Sequence, residues 1–230
     1  MSKSRDRVLQ ALNHQNTDYV PVDFGSTAVT GIHCRIVEAL RNHYGLESKP
    51  VKIVDAFQML GEVDEELAEL LGVDCIGIGG AKDIFDLDTT QLHEQVTPWG
   101  QRVLVPLSMD LTPDNQGDVY VYAGGDKTYP PSAVMPKGCY FINAIERQQP
   151  IDEDKLNPED NVEEFTLLTD ADLAYYKELV DKVSGSGKAV VASFGGTALG
   201  DVAFVPGMGL KEPKGIRSCL LYTSPSPRDP

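Results

Sequence analysis

The chain has 230 residues, enough for a full core as one α/β domain or as part of a larger one, and its 41% hydrophobic and 24% charged content is that of a globular protein. Its 20 basic against 35 acidic residues leave a net charge of −15, which repels phosphate backbones and argues against nucleic acid and anionic membranes as partners. No apolar run approaches the ~20 residues that span a bilayer, and Met1 to Arg7 is polar and basic with no apolar segment behind it to act as a secretory signal; a cytoplasmic location is expected.

In chain order, Ser4 to His14 carries Val8, Leu9, Ala11 and Leu12 on one face and predicts a short amphipathic helix. Tyr19, Val20, Val22 and Phe24 form a β-prone run. It ends in the small-residue loop Gly25 to Gly31, which opens onto a helix with Ile32, Ile36, Ala39 and Leu40 at helical spacing and Gly45 as its stop. Such a junction lies at the carboxyl end of a strand, where loops and helix N-termini offer unpaired N–H groups to a ligand. Glu62 to Leu71 predicts a second helix closed by Gly72, and Asp74 to Gly79 a short strand, which together make a βαβ unit.

The stretch 95–146 breaks that rhythm. Val103, Val105 and Leu107 alternate with other residues, as do Val119 and Val121. Ala133 to Ile145 also reads as extended, with turn chemistry at Pro113 to Gly117 and Gly124 to Pro131. This predicts an antiparallel hairpin insertion after the second core strand, placed to act as a lid or a wall of a pocket. Thr169 or Asp170 is expected to cap a helix with Leu173, Tyr176, Val180 and Val183 as its apolar stripe. Ala189 to Phe194 reads as a buried parallel strand ending in Gly195, Gly196 and Thr197, the same small-residue theme as Gly25 to Thr27.

Candidate site residues follow from these two shelves. Asp23 is either a general base at a pocket floor or a strand residue bonded to a neighbouring loop. Thr27, Thr30 and the N–H groups near Gly31 either bind a carboxylate or cap the helix. His33 lines the pocket or caps backbone. His33 and Cys34 do not make a zinc site by themselves, since neighbours on a helix diverge by about 100°. Phe24, Gly25, Gly79, Phe194, Gly195 and Thr197 are the remaining candidates for substrate contact. Cys34, Cys75, Cys139 and Cys219 are widely spaced and fit reduced thiols, and the glycines do not form G-x-G-x-x-G.

Arg7 to Leu12, then Thr17 to Gly25, with Gln58-Met59-Leu60, Leu71-Gly72-Val73-Asp74 and Ser193-Phe194-Gly195-Gly196, resemble the uroporphyrinogen decarboxylase superfamily over essentially all of residues 4–218. The superfamily includes the decarboxylase and the cobamide-dependent methyltransferases. The resemblance implies a (β/α)₈ barrel, of which this chain holds the first three strands, and a small-molecule substrate. It also implies a corrinoid, possible pairing with a corrinoid protein, and a zinc ion with ligands in the later half of the barrel. The decarboxylase's arginine-rich loop is replaced here by Ser26 to His33, with no arginine before Arg35. Ala81 stands about where the catalytic aspartate is expected, with Asp83 close by as either a displaced acid or a solvated loop residue. Gripping a polycarboxylate needs fixed cations, so the methyltransferase branch is the expectation, with a decarboxylase or a non-catalytic barrel binding a corrinoid or a protein as alternatives. Cys219 to Asp229 resembles one reading frame of a sequencing-library adapter; residues 219–230 are therefore expected to be a non-native tail, and the natural protein to continue past Ser218.

Overall fold

A computed structural model describes residues 4–147, 152–155, 157–164, 166–194 and 207–214. Helix α1 (Ser4–Leu12) forms as its periodicity predicts and buries Arg7 rather than an aliphatic stripe. The Arg7 guanidinium donates from Nε and Nη2 to Asp18, at 2.7 and 3.1 Å, and from Nη1 to Asp74, while the Tyr19 ring lies 3.5 Å from it. This fork ties the helix to the interior, where Asp74 is wholly buried.

The first expected strand, over Tyr19 to Phe24, joins no ladder. Pro21 has no N–H to give, and the Val22 N–H is taken by the Asp74 side chain at 3.0 Å, leaving the Val22 carbonyl to accept the Asp74 N–H at 2.8 Å. A 3-10 turn over Ala28–Thr30 leads to β1 (Ile32–His33) and α2 (Cys34–His43). Gly45, at φ 68, follows the end of α2 as predicted.

Two short strands that periodicity reading passed over come next, β2 (Val51–Asp55) and β3 (Leu60–Gly61). Helix α3 (Glu65–Leu70) starts later than Glu62 because the Asp64 carboxylate accepts the Leu67 N–H at 3.1 Å and fixes the N-terminus there, while the Glu62 N–H bonds to the Lys52 carbonyl. After it come β4 (Cys75–Ile78), the hairpin β5 (Leu92–Val96) and β6 (Arg102–Pro106), then β7 (Val119–Val121), β8 (Ala133–Met135) and β9 (Asn143–Ala144). Helix α4 (Asp170–Val183) is capped by a reciprocal Thr169–Asp172 box, and β10 (Ala189–Ala192) is the last helix or strand among the described residues.

The described residues form a mixed α/β structure with several sheets and no closed barrel. One sheet has the order β1-β3-β2-β6-β5, with β2 and β6 parallel and its other pairs antiparallel. A second is the parallel pair β10-β4, in register from Ala189 with Cys75 to Ala192 with Ile78. A third, β7-β8-β9, is antiparallel. The expected turn at Gly124 to Pro131 joins the antiparallel pair β7–β8, whereas the expected turn at Pro113 to Gly117 joins no pair: β6 instead pairs with β5, which begins at Leu92, before the expected start at Gln95. The stretch is also no appendage: β6 pairs with β2, so Val103 and Val105 enter the same core as Val51 and Ile53. Among the described residues no helix is long and apolar enough to cross a membrane.

Candidate functional site

A cleft of about 1030 Å³ lies between the five-stranded sheet and the β4–β10 pair, walled by β2, α3, β4, the loop after β4, and α4. Parallel pairing sends the carboxyl ends of β4 and β10 the same way, which delivers Gly79, Ser193 and Phe194 to this cleft. Phe24, Gly25 and Thr27 meet them there. The start of the first shelf and the residue that precedes the second, Phe194, thus line one cleft. Close approach explains Gly77: a Cβ on it would overlap the Ser26 carbonyl oxygen, so the chain at Ser26 can lie directly against β4 only if that position is glycine. Gly25, at φ 84, donates its N–H to the Thr30 carbonyl at 2.9 Å and closes the loop.

Asp23, Thr30 and His33 do not line the cleft. The Asp23 carboxylate is turned onto its own loop, where it accepts the Ser26 N–H at 3.3 Å, the Ser26 hydroxyl, and the Thr30 hydroxyl at 3.2 Å. His33 caps α2: its Nδ1 accepts the Arg35 N–H at 3.2 Å, which leaves the proton on Nε2 to donate to the Tyr140 carbonyl at 3.0 Å. Its ring packs against Phe141 and Trp99, with centroids 5.2 and 5.8 Å away. That cluster borders a separate notch of about 330 Å³ between α2 and the turn at Trp99 and Gly100. None of residues 95–146 lines the cleft, so the hairpin region is neither its lid nor its wall. Gly195 and Thr197 lie outside the described residues.

Asp83 does line the cleft. It organises the loop after β4 by accepting two backbone N–H groups on one oxygen, Oδ1, from Phe85 at 2.9 Å and Leu87 at 3.0 Å. Burial pushes its pKa up to about 6, helped by the negative charges of Asp55 and Asp86 and opposed by the two N–H bonds. A carboxyl group with that value changes charge close to neutral pH, as a general acid requires. Asp55, at the end of β2, shares the cleft and is the site residue that sequence reasoning missed. Burial raises its pKa too, while the Gln58 N–H, 2.7 Å from Oδ1, pulls the other way. The signal was there in Val51-Lys52-Ile53-Val54-Asp55, an alternating run with a carboxylate at its carboxyl end.

The cationic groups of the cleft are lysines; no arginine is found among the described residues that line it. Cys75 also faces it, with burial raising its pKa and keeping it a thiol. Cys34 is buried away from the cleft, bonded to Gln101 Oε1 at 3.4 Å, and burial pushes its pKa up to about 12. Among the described residues no three His, Cys, Asp or Glu side chains gather to hold a metal ion. Set against known protein families, curated proteins and solved structures, the chain matches none.

Proposed function

We propose that this chain is the front part of a (β/α)₈-barrel enzyme of the uroporphyrinogen decarboxylase superfamily, of the type that moves a methyl group from a corrinoid to a thiol. The observation that supports it is the shared cleft: Phe24, just before the Gly25 loop, and Phe194, just after β10, line one cleft at the carboxyl ends of the parallel strands β4 and β10. In this reading β4 and β10 are neighbouring staves of the barrel wall, and the segment before Ser26, which joins no ladder, lies against β4 at Gly77.

The two exposed phenyl rings suit the apolar face of a macrocycle, and the absence of arginine along the described lining suits a ligand gripped otherwise than by many carboxylates. A corrinoid, when bound, supplies the methyl group. The chain's own residues bind and orient: the rings cover one face, while the lysines of the cleft are held in ion pairs, Lys52 with Glu62, Lys82 with Asp86, Lys182 with Glu178 and Lys188 with Glu69. Among the described residues no set of His, Cys, Asp or Glu side chains fits zinc. The test is methyl transfer from methylcobalamin to a panel of thiols by the uninterrupted gene product. Thioether formation is expected; no transfer to any thiol overturns the reading.

A second reading, decarboxylation of a uroporphyrinogen-type substrate, is favoured by one residue. Asp83, neutral below about pH 6, can give its proton to the carbon that keeps the electron pair when carbon dioxide leaves, becoming a carboxylate that water reprotonates. Porphyrinogen turnover abolished by Asp83→Asn supports this; no turnover by the unaltered protein disposes of it.

A further inference from the structure

We propose that residues 207–214 form a strap that holds the cleft loop after β4 in place from outside the cleft, with Arg147, Met208 and Gly209 as its positioning residues. The inference rests on the cleft being the working site, and it gives a role to a segment that contributes nothing to the lining.

The strap is fastened along its length. Gly207, at φ 63, opens a turn in which the Leu210 N–H donates to the Gly207 carbonyl at 3.0 Å. Met208 is fully enclosed and belongs to the same core cluster as Phe85 and Leu87 of the cleft loop. Arg147 clasps the turn: its Nη2 donates to the Gly207 carbonyl at 2.6 Å and its Nη1 to the Lys211 carbonyl at 3.2 Å. One planar guanidinium thereby fixes the separation of two backbone carbonyls, which a lysine ammonium would not do.

Beyond the turn, Lys211 donates to Asp126 at 2.6 Å, and its ammonium stands 5.1 Å from the centre of the Tyr129 ring. The bond from Lys211 holds the Asp126 carboxyl down at about 2, so this tie persists through the neutral range. At the far end the Lys214 N–H meets both oxygens of the Glu163 carboxylate, at 2.9 and 3.2 Å.

What the strap presses on is the loop whose Lys82, Asp83 and Asp86 line the cleft. Gly209 lies so close to it that a Cβ would come within 3.0 Å of the Ile84 carbonyl oxygen and 3.3 Å of the Asp86 nitrogen. The same loop is held by a second element, since the Gly124 N–H donates to the Phe85 carbonyl at 2.8 Å. Gly124 belongs to the turn that carries Asp126, so loop, turn and strap are each joined to the other two. Inside the loop, Asp83 Oδ1 accepts the Phe85 and Leu87 N–H groups. Those two bonds report whether the support is intact.

The experiment is residue-resolved amide hydrogen exchange by NMR on the full chain, without substrate. Arg147→Ala removes both clasping bonds and is expected to speed exchange at Phe85, Leu87 and Gly124 by about tenfold, with the β5–β6 ladder unchanged. Arg147→Lys, which can still donate to one carbonyl, is expected to return part of that loss. Gly209→Ala, at a backbone conformation open to any residue, adds a methyl group where the strap meets Ile84 and is expected to speed the same amides by a smaller factor. Unchanged exchange at Phe85 and Leu87 in both Arg147→Ala and Gly209→Ala overturns the proposal. So does an equal rise across the β5–β6 ladder, which would make the segment a support of the whole fold rather than of the loop. No result depends on methyl transfer or decarboxylation, so the assignment of the reaction fails or stands separately.

Discussion

The five-stranded sheet with its β7-β8-β9 neighbour and the β4–β10 pair obey different rules of burial. In the first, Val103, Val105, Val119 and Met135 are fully enclosed, and Met208 from the far end of the described chain joins them. In the second, alternate residues of an all-apolar strand stand open: Val190 is 44% exposed, and Leu173 and Val180 of the overlying helix are 53% and 45% exposed. The first region has closed its core with what it contains. The second has one covered face and one uncovered side, and it carries the cleft. Stability in this molecule thus resides mainly away from the residues argued to act.

The largest expected effect tests the closed side. Met135→Ala, deep among the β7–β9 and β6 side chains, is expected to cost about 3 kcal/mol in urea unfolding, because the surrounding strands cannot collapse into the void. Next comes a buried polar tie beside the β4–β10 pair. Asp74→Ala removes the buried acceptor shared by Arg7 and the Val22 N–H, and is expected to cost about 3 kcal/mol, read by the same measurement.

A smaller effect, with a pH signature, belongs to the cleft. The pKa of Asp83 rises from 3.8 in the unfolded chain to about 6 in the fold, so the fold binds the extra proton between those values and loses stability as pH rises through that window. Asp83→Asn, neutral at every pH and able to keep both N–H bonds, is expected to be more stable than the parent by about 2 kcal/mol at pH 7.5, with the gain gone near pH 4. A gain that persists at pH 4 would assign it to packing instead. The smallest effect tests the open side: Val190→Ala is expected to change stability by less than about 0.5 kcal/mol. A loss comparable to that of Met135→Ala would erase the contrast between the regions.

The parts legible in the sequence were those with local punctuation. Helices α1, α2 and α4 announced themselves by period and stop or cap, with Gly45 ending α2 and Thr169 starting α4 where expected. The strands β4 and β10, and their common rim at Phe24 and Phe194, followed from apolar runs ending in small residues. What failed did so for reasons that lie across the chain. Tyr19 to Phe24 has strand propensity, but Pro21 and the distant Asp74 side chain take it out of any ladder. Val51–Asp55 is too short to stand out, and its place beside β6 is set by a pairing partner about fifty residues away. Of the two readings the sequence left open for Asp23 and His33, the fastening one is what the structure shows, because an Asp before Ser and Thr, or a ring at a helix start, finds a backbone or hydroxyl donor first.

One consequence of the β4–β10 pair concerns solvent isotope exchange. The Ala189 and Ser193 N–H groups bond to the Asp74 and Ile78 carbonyls, so odd-numbered amides of this strand point to β4 and those of Val190 and Ala192 point to a margin that no strand among the described residues pairs. In deuterated water the strand therefore carries a two-beat pattern, slow at 189, 191 and 193 and fast at 190 and 192. Whatever later comes to lie along that margin registers as slowing at the two fast positions alone.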